Sequence, residues 1–161
     1  MATFTERAWP EVNDVEFTVV LSLPRDAASV PLSRQVLDGC LQTLGVTDDT
    51  RTDIALALSE ACANVIVHAG SGEQYGVTVS ACGGRCVIEV MNSGTGPPPM
   101  PAADGPVPLS DEHGRGLKIM DAVVENLQLT GNGQQGTTIH FEKALQWVPG
   151  APGEQLFRAD G

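Results

Sequence analysis

The chain has 161 residues, the length of one domain, with 42% hydrophobic and only 4% aromatic residues, so Leu, Val, Ile and Ala must build its core, and that length needs no disulfide or metal staples. A formal net charge of −11 without any basic run disfavours direct contact with nucleic acid or an anionic membrane. No apolar stretch reaches the roughly 20 residues of a membrane span, and Met1 to Pro10 lacks a basic region followed by an apolar run, so the expectation is a cytoplasmic protein.

Residues 1–15 are polar and mixed and read as a flexible N-terminus. Glu16 to Leu23 is rich in β-branched residues and predicts a strand that Pro24 ends. Ser29, Val30 and Pro31 look like a capped helix start, and Leu32, Val36, Leu37, Cys40, Leu41 and Leu44 follow at helical spacing up to Gly45. Asp48 or Asp49 would cap a second helix over residues 50–69, with Ile54, Leu58, Ala61 and Val65 as its buried stripe. Strands over 75–82 and 86–92 then form a hairpin around Gly83, Gly84 and Arg85. Residues 93–113 hold most of the prolines together with Gly94, Gly96 and Gly105, and read as a lid or binding loop. A third helix from Gly114 to about Glu125 and strands over 126–131 and 136–143 complete a domain spanning 16–144, and residues 145–161 read as a C-terminal tail. The order β-α-α-β-β-lid-α-β-β predicts an α+β, two-layer α/β sandwich: a mixed, mostly antiparallel sheet with three helices on one face. It is neither a doubly wound sheet nor a Walker-type phosphate loop. Cys40, Cys62, Cys82 and Cys86 fit no zinc spacing. They read as reduced thiols, with a redox pair across the hairpin at Cys82 and Cys86 as the alternative.

Four short patterns carry chemistry. Glu60, Asn64 and His68 are four apart on one helix and share a face. A carboxylate there can orient or deprotonate a nucleophile, and an Asn oxygen can take one site on an octahedral Mg²⁺ otherwise held by phosphates and water; the same row is equally the solvent face of an amphipathic helix, and His68 reads as a packed helix residue. Asn92-Ser93-Gly94-Thr95-Gly96 closes a strand, where Asn92 can bond a base edge and the glycines let backbone approach a flat ligand, or where the run is simply a turn. Gly114-Arg115-Gly116-Leu117 opens a helix whose free N–H groups and Arg115 suit phosphate, or serves only as a glycine hinge. Gly136-Thr137-Thr138 opens the last strand and by itself says nothing.

Taken together, in this order, the segment LSEACANVIVHA, the N-x-G-x-G after a hairpin, the Gly-x-Gly-Leu after a long lid and the closing Gly-Thr strand resemble the GHKL (Bergerat-fold) ATPase/kinase superfamily, over about residues 16–143. The short single-domain length resembles its bacterial anti-sigma-factor serine kinase branch. The resemblance implies Mg²⁺ and ATP as cofactors and Glu60 as general base for phosphoryl transfer. It implies Asn64 as the Mg²⁺ ligand, Asn92 at the base-reading position with Gly94 and Gly96 beside it, and Gly114, Arg115, Gly116 and Leu117 along the phosphates. Thr137 would support the base reader. It further implies a homodimer that holds a sigma factor and phosphorylates a serine of an anti-sigma antagonist of STAS type.

Asn92 departs from the family pattern, which has Asp there. Asn accepts a hydrogen bond from an adenine amine without charge assistance and adds a donor suited to a guanine carbonyl. Weaker ATP binding, altered base choice and an empty pocket all follow as possibilities. The alternative function is therefore a non-catalytic or weakly nucleotide-binding regulator that binds a sigma factor or an antagonist.

Overall fold

The computed structural model describes residues 17–68, 74–92, 113–132 and 136–157. Strand alternation sets its architecture. In β2 (Gln74–Cys82) and β3 (Arg85–Asn92) every second side chain is buried, and the hairpin register places those residues opposite one another: Val77 with Val90, Val79 with Ile88, Ala81 with Cys86. Adding β1 (Phe17–Pro24), β4 (Glu125–Asn132) and β5 (Gly136–Ala144) gives a five-stranded sheet of order β1-β2-β3-β5-β4. Rows of apolar residues cross it, such as Leu21, Val77, Val90, Ile139 and Leu129. Among the described residues every pairing is antiparallel, so the sheet expected to be mixed and mostly antiparallel is wholly antiparallel there.

The apolar face is covered by α1 (Ser29–Leu44), α2 (Asp48–His68) and α3 (His113–Val123). α2 is the central helix: Ile54, Leu58, Ala61 and Val65 are buried as the periodicity predicts, and it packs on α1, α3, β3 and β5. Two cations tie helix ends to the frame. Arg25 donates to the Ile66 carbonyl in the last turn of α2 at 2.7 Å. Lys143 of β5 donates to the Val123 carbonyl at the end of α3 at 2.6 Å and pairs with Asp53 of α2 at 3.0 Å. Each satisfies a carbonyl that a helix terminus leaves without an intrahelical partner.

Helix starts differ from the expectation. Ala28, not Ser29, caps α1 and makes no side-chain cap bond. The Ser29 hydroxyl donates to the Asp26 carbonyl and meets the Tyr75 hydroxyl instead. Thr47 caps α2 by accepting the Thr50 N–H at 3.4 Å, and Asp48 and Asp49 sit in the first turn, where the helix dipole favours acids. Gly45 ends α1 as predicted, at φ 89°.

The segment after β5, expected as a tail, folds back. Trp147 bridges to Val46, Ala151 is buried against Gly45, and α4 (Pro152–Phe157) adds a fourth helix. A Cβ at Gly153 would stand 2.4 Å from the Trp147 ring, so this glycine provides the ring's seat, a role invisible in local composition. Cys82 pairs with Arg85 and Cys86 with Ala81, so the two thiols lie on opposite sheet faces. None of the four cysteines is in a disulfide. Burial pushes Cys86 up to about 12, which leaves it an unreactive thiol. Residues 1–16 and the lid residues 93–112 lie outside the described residues.

On the sheet face away from the helices, Glu142 accepts from His140 at 2.8 Å, from Asn126 at 3.1 Å and from Arg85 at 3.2 Å. His140 also faces Glu89 at 3.5 Å, and Arg85 also pairs with Glu125. These partners, His140 first, hold the Glu142 carboxyl below its usual value. A depressed carboxyl contributes stability that is complete above its unfolded pKa and is lost as pH falls through the folded one. Urea midpoints should therefore decline modestly below pH 4.5, and Glu142→Gln should flatten that decline while leaving the m-value unchanged.

Candidate functional site

Glu60 and Asn64 occupy the half-buried flank of α2, one turn apart, beside the buried Ala61 and Val65. The first turns of α3 come down against this flank. At Gly116 a Cβ would stand 2.8 Å from Glu60 Oε2, so a side chain there would push the carboxylate out of its place against α3. Leu117 turns inward and is buried, whereas Arg115 is exposed. Gly114 lies in the first turn of α3. An acid is thus held next to a helix N-terminus, a place where N–H groups and the helix dipole favour anions.

The sheet supplies the other wall. Asn92 ends β3 on the helix-covered face and is 3% exposed, one of only four buried polar residues among those described. The register pairs Met91 with Thr138, which sets Asn92 and the half-buried Thr137 as the next facing positions on that face. Across β2, Asn92 pairs with Tyr75, and the Tyr75 hydroxyl reaches Ser29 at 2.6 Å and stands within hydrogen-bonding range of Cys62. Cys62, on the buried side of α2 away from Glu60 and Asn64, meets Ser33 of α1 at 3.7 Å, so α1 joins the strand end to the acid-amide helix.

Glu60 and Gly116 are therefore in contact, and Asn92 and Thr137 share the sheet end that leans on the same helix. Gly94 and Gly96 lie outside the described residues, as does the side chain of His68. A groove of about 510 Å³ between α1 and α2, lined by Arg34, Asp38, Asp48 and Arg51, holds none of these residues; Arg51 pairs there with both Asp38 and Asp48. Sequence reading missed Tyr75, Ser29 and Lys143. The one available signal was that Tyr75 is the single tyrosine of an aromatic-poor chain, placed at a strand start.

A histidine kinase-like ATPase domain family model matches residues 23–143, which contain every element of this arrangement. The chain belongs to that family. Among relatives of this histidine kinase-like ATPase domain, an "Anti-sigma F factor" of Clostridium botulinum is 26% identical over 118 residues, covering 69% of this chain and 82% of the relative. A "Serine-protein kinase RsbW" of Halalkalibacterium halodurans is 27% identical over 143 residues, covering 80% and 84%. A crystal structure of the RsbU and RsbW domains of a Mycobacterium tuberculosis protein superposes with a TM-score of 0.62 at 19% identity. It covers 82% of this chain, which spans 34% of that longer one, and it shows the same fold. Among the described residues no helix is long and apolar enough to cross a membrane.

The contact between Glu60 and Gly116 predicts non-additivity. Gly116→Ala should gain up to about 0.8–1 kcal/mol of helix propensity only when Glu60 is also Ala. In the wild-type background the new Cβ meets the carboxylate and cancels part of that gain. A double-mutant cycle by urea melts checks the coupling.

Proposed function

We propose that the domain binds Mg²⁺–ATP between α2 and the first turns of α3, and acts as an anti-sigma-factor regulator that phosphorylates a serine of an antagonist protein. The observation that carries this reading is the seat of the Glu60 carboxylate against Gly116, at a helix N-terminus, in a chain of the histidine kinase-like ATPase family. The relatives named anti-sigma F factor and serine-protein kinase support the regulatory half.

In this reading Glu60 accepts the proton of the attacking serine hydroxyl and aligns it. The N–H groups at Gly114, Arg115 and Gly116 face the phosphates, and Arg115, exposed at the helix start, reaches a terminal phosphate oxygen. Leu117 anchors the turn in the core. Asn92 reads the base edge with Thr137 beside it, and Gly94 and Gly96 flank the base. No cluster of three His, Cys, Asp or Glu side chains suited to a metal occurs among the described residues. In this reading Asn64 would supply the ion one protein oxygen, with phosphates and water as its other ligands. When bound, Mg²⁺ neutralises phosphate charge. Residues 93–113 would serve as the lid, and the partners would be a sigma factor and a STAS-type antagonist, with the protein a homodimer.

Asn92 favours a second reading, a regulator that binds its protein partners and holds nucleotide weakly or not at all. Charge-assisted hydrogen bonds contribute about 1.5–3 kcal/mol against about 0.5–1.5 for neutral ones. Asn92→Asp should therefore tighten ATP binding about tenfold, measured by titration calorimetry. Transfer of labelled phosphate from ATP to a serine-bearing antagonist, lost in Glu60→Ala with ATP binding retained, tests the kinase reading. Absence of transfer by the wild-type protein despite ATP binding leaves the second reading standing.

A further inference from the structure

The Tyr75 hydroxyl joins three elements at one point. Tyr75 is fully buried in β2, and its cross-strand partner is Asn92. Its hydroxyl lies 2.6 Å from Ser29 Oγ in the first turn of α1. Hydrogen counting assigns the donors. Ser29 donates its single proton to the Asp26 carbonyl at 2.7 Å, so Tyr75 donates to Ser29. Ser33 likewise donates to the Val30 carbonyl at 2.8 Å, so the Cys62 thiol, 3.7 Å from Ser33 Oγ, donates its single proton to Ser33. Burial raises the Cys62 thiol and pushes Tyr75 up to about 12, so both keep their protons at neutral pH. Two bonds thus fix α1, one from Tyr75 of β2 to Ser29 and one from Cys62 of α2 to Ser33, and every proton in them is used.

Networks of this kind fix one spacing and exclude others. Here the spacing is that between the strand end bearing Asn92 and the helix bearing Glu60 and Asn64, because α1 is bonded both to Tyr75, the cross-strand partner of Asn92, and to Cys62 of α2. We propose that Tyr75 is a positioning residue for nucleotide binding: its hydroxyl holds Ser29 of α1, and α1 holds Cys62 of α2 through Ser33, so the hydroxyl sets how far the base-reading end of β3 stands from α2. The inference rests on the reading of Asn92 as the base reader.

Tyr75→Phe removes one oxygen and leaves Ser29 its bond to Asp26. The full chain with this change should bind ATP at least fivefold more weakly, with the ATP to GTP affinity ratio moved toward one. Turnover at saturating ATP should hold, so that KM rises and kcat does not. Ser29→Ala should do the same, and the double variant should be no worse than either single one. Val46→Ala, a core truncation at the far end of α1, lowers stability and should leave both affinities unchanged. Thermal melts confirm folding of each variant, and if Tyr75→Phe does not fold, Ser29→Ala decides. Wild-type protein that binds neither ATP nor GTP overturns the nucleotide site and the inference with it. Wild-type protein that binds ATP, with Tyr75→Phe or Ser29→Ala binding as tightly at the same ATP to GTP ratio, overturns the inference alone.

Discussion

The closeness of α3 to α2 is the constraint on which the site depends. The bare backbone of Gly116 leaves the Glu60 carboxylate its place at the contact, where a side chain would push it aside. The approach is held from the far end as well. Lys143 reaches the last carbonyl region of α3 and Asp53 on α2 together, so one ammonium fixes the C-terminal end of α3 relative to both the sheet and α2. With that end pinned and Leu117 and Met120 sunk in the core, the N-terminal turn of α3 has little choice but to lie over Glu60.

The sheet contributes by where its polar residues fall along otherwise apolar rows. Leu21, Val77, Val90 and Ile139 fill one row, and the next row toward the end of the sheet reads Leu23, Tyr75 and Asn92. Polarity therefore rises over two residues of strand, at the edge of the core and under the helix that carries Glu60 and Asn64. A buried amide is tolerated there because polar partners are at hand, whereas one row deeper it would have none. The same logic applies to Ser29 and Ser33, which are buried on α1 yet donate to carbonyls of their own turns.

Much of the fold was legible because period-two and period-3.6 patterns are local. The buried stripe of α2, the Gly83–Gly84 hairpin and the Gly45 stop follow from residues a few positions apart. The caps were less legible. Ser29, Thr47, Asp48 and Asp49 are all competent N-terminal residues, and the choice among them fell to burial: Ser29 was drawn to Tyr75, forty-six positions away, leaving Ala28 as the cap. The C-terminal segment misled for a related reason. Its prolines and glycines signal a break in regular structure, which is correct, but a break is not a tail when Trp147 finds a seat on Gly153 and beside Val46.

By itself the sequence determined the element order from β1 to β5, the apolar faces and the candidate residues Glu60, Asn64, Asn92 and Arg115, because each follows from side-chain chemistry read at short range. Only the tertiary structure decided that every strand pairing among the described residues is antiparallel, that Cys82 and Cys86 part to opposite faces, and that Gly116 meets Glu60. Those outcomes depend on register and on the distance between helices. Both are set by how a whole core closes, and no short window of residues carries that information.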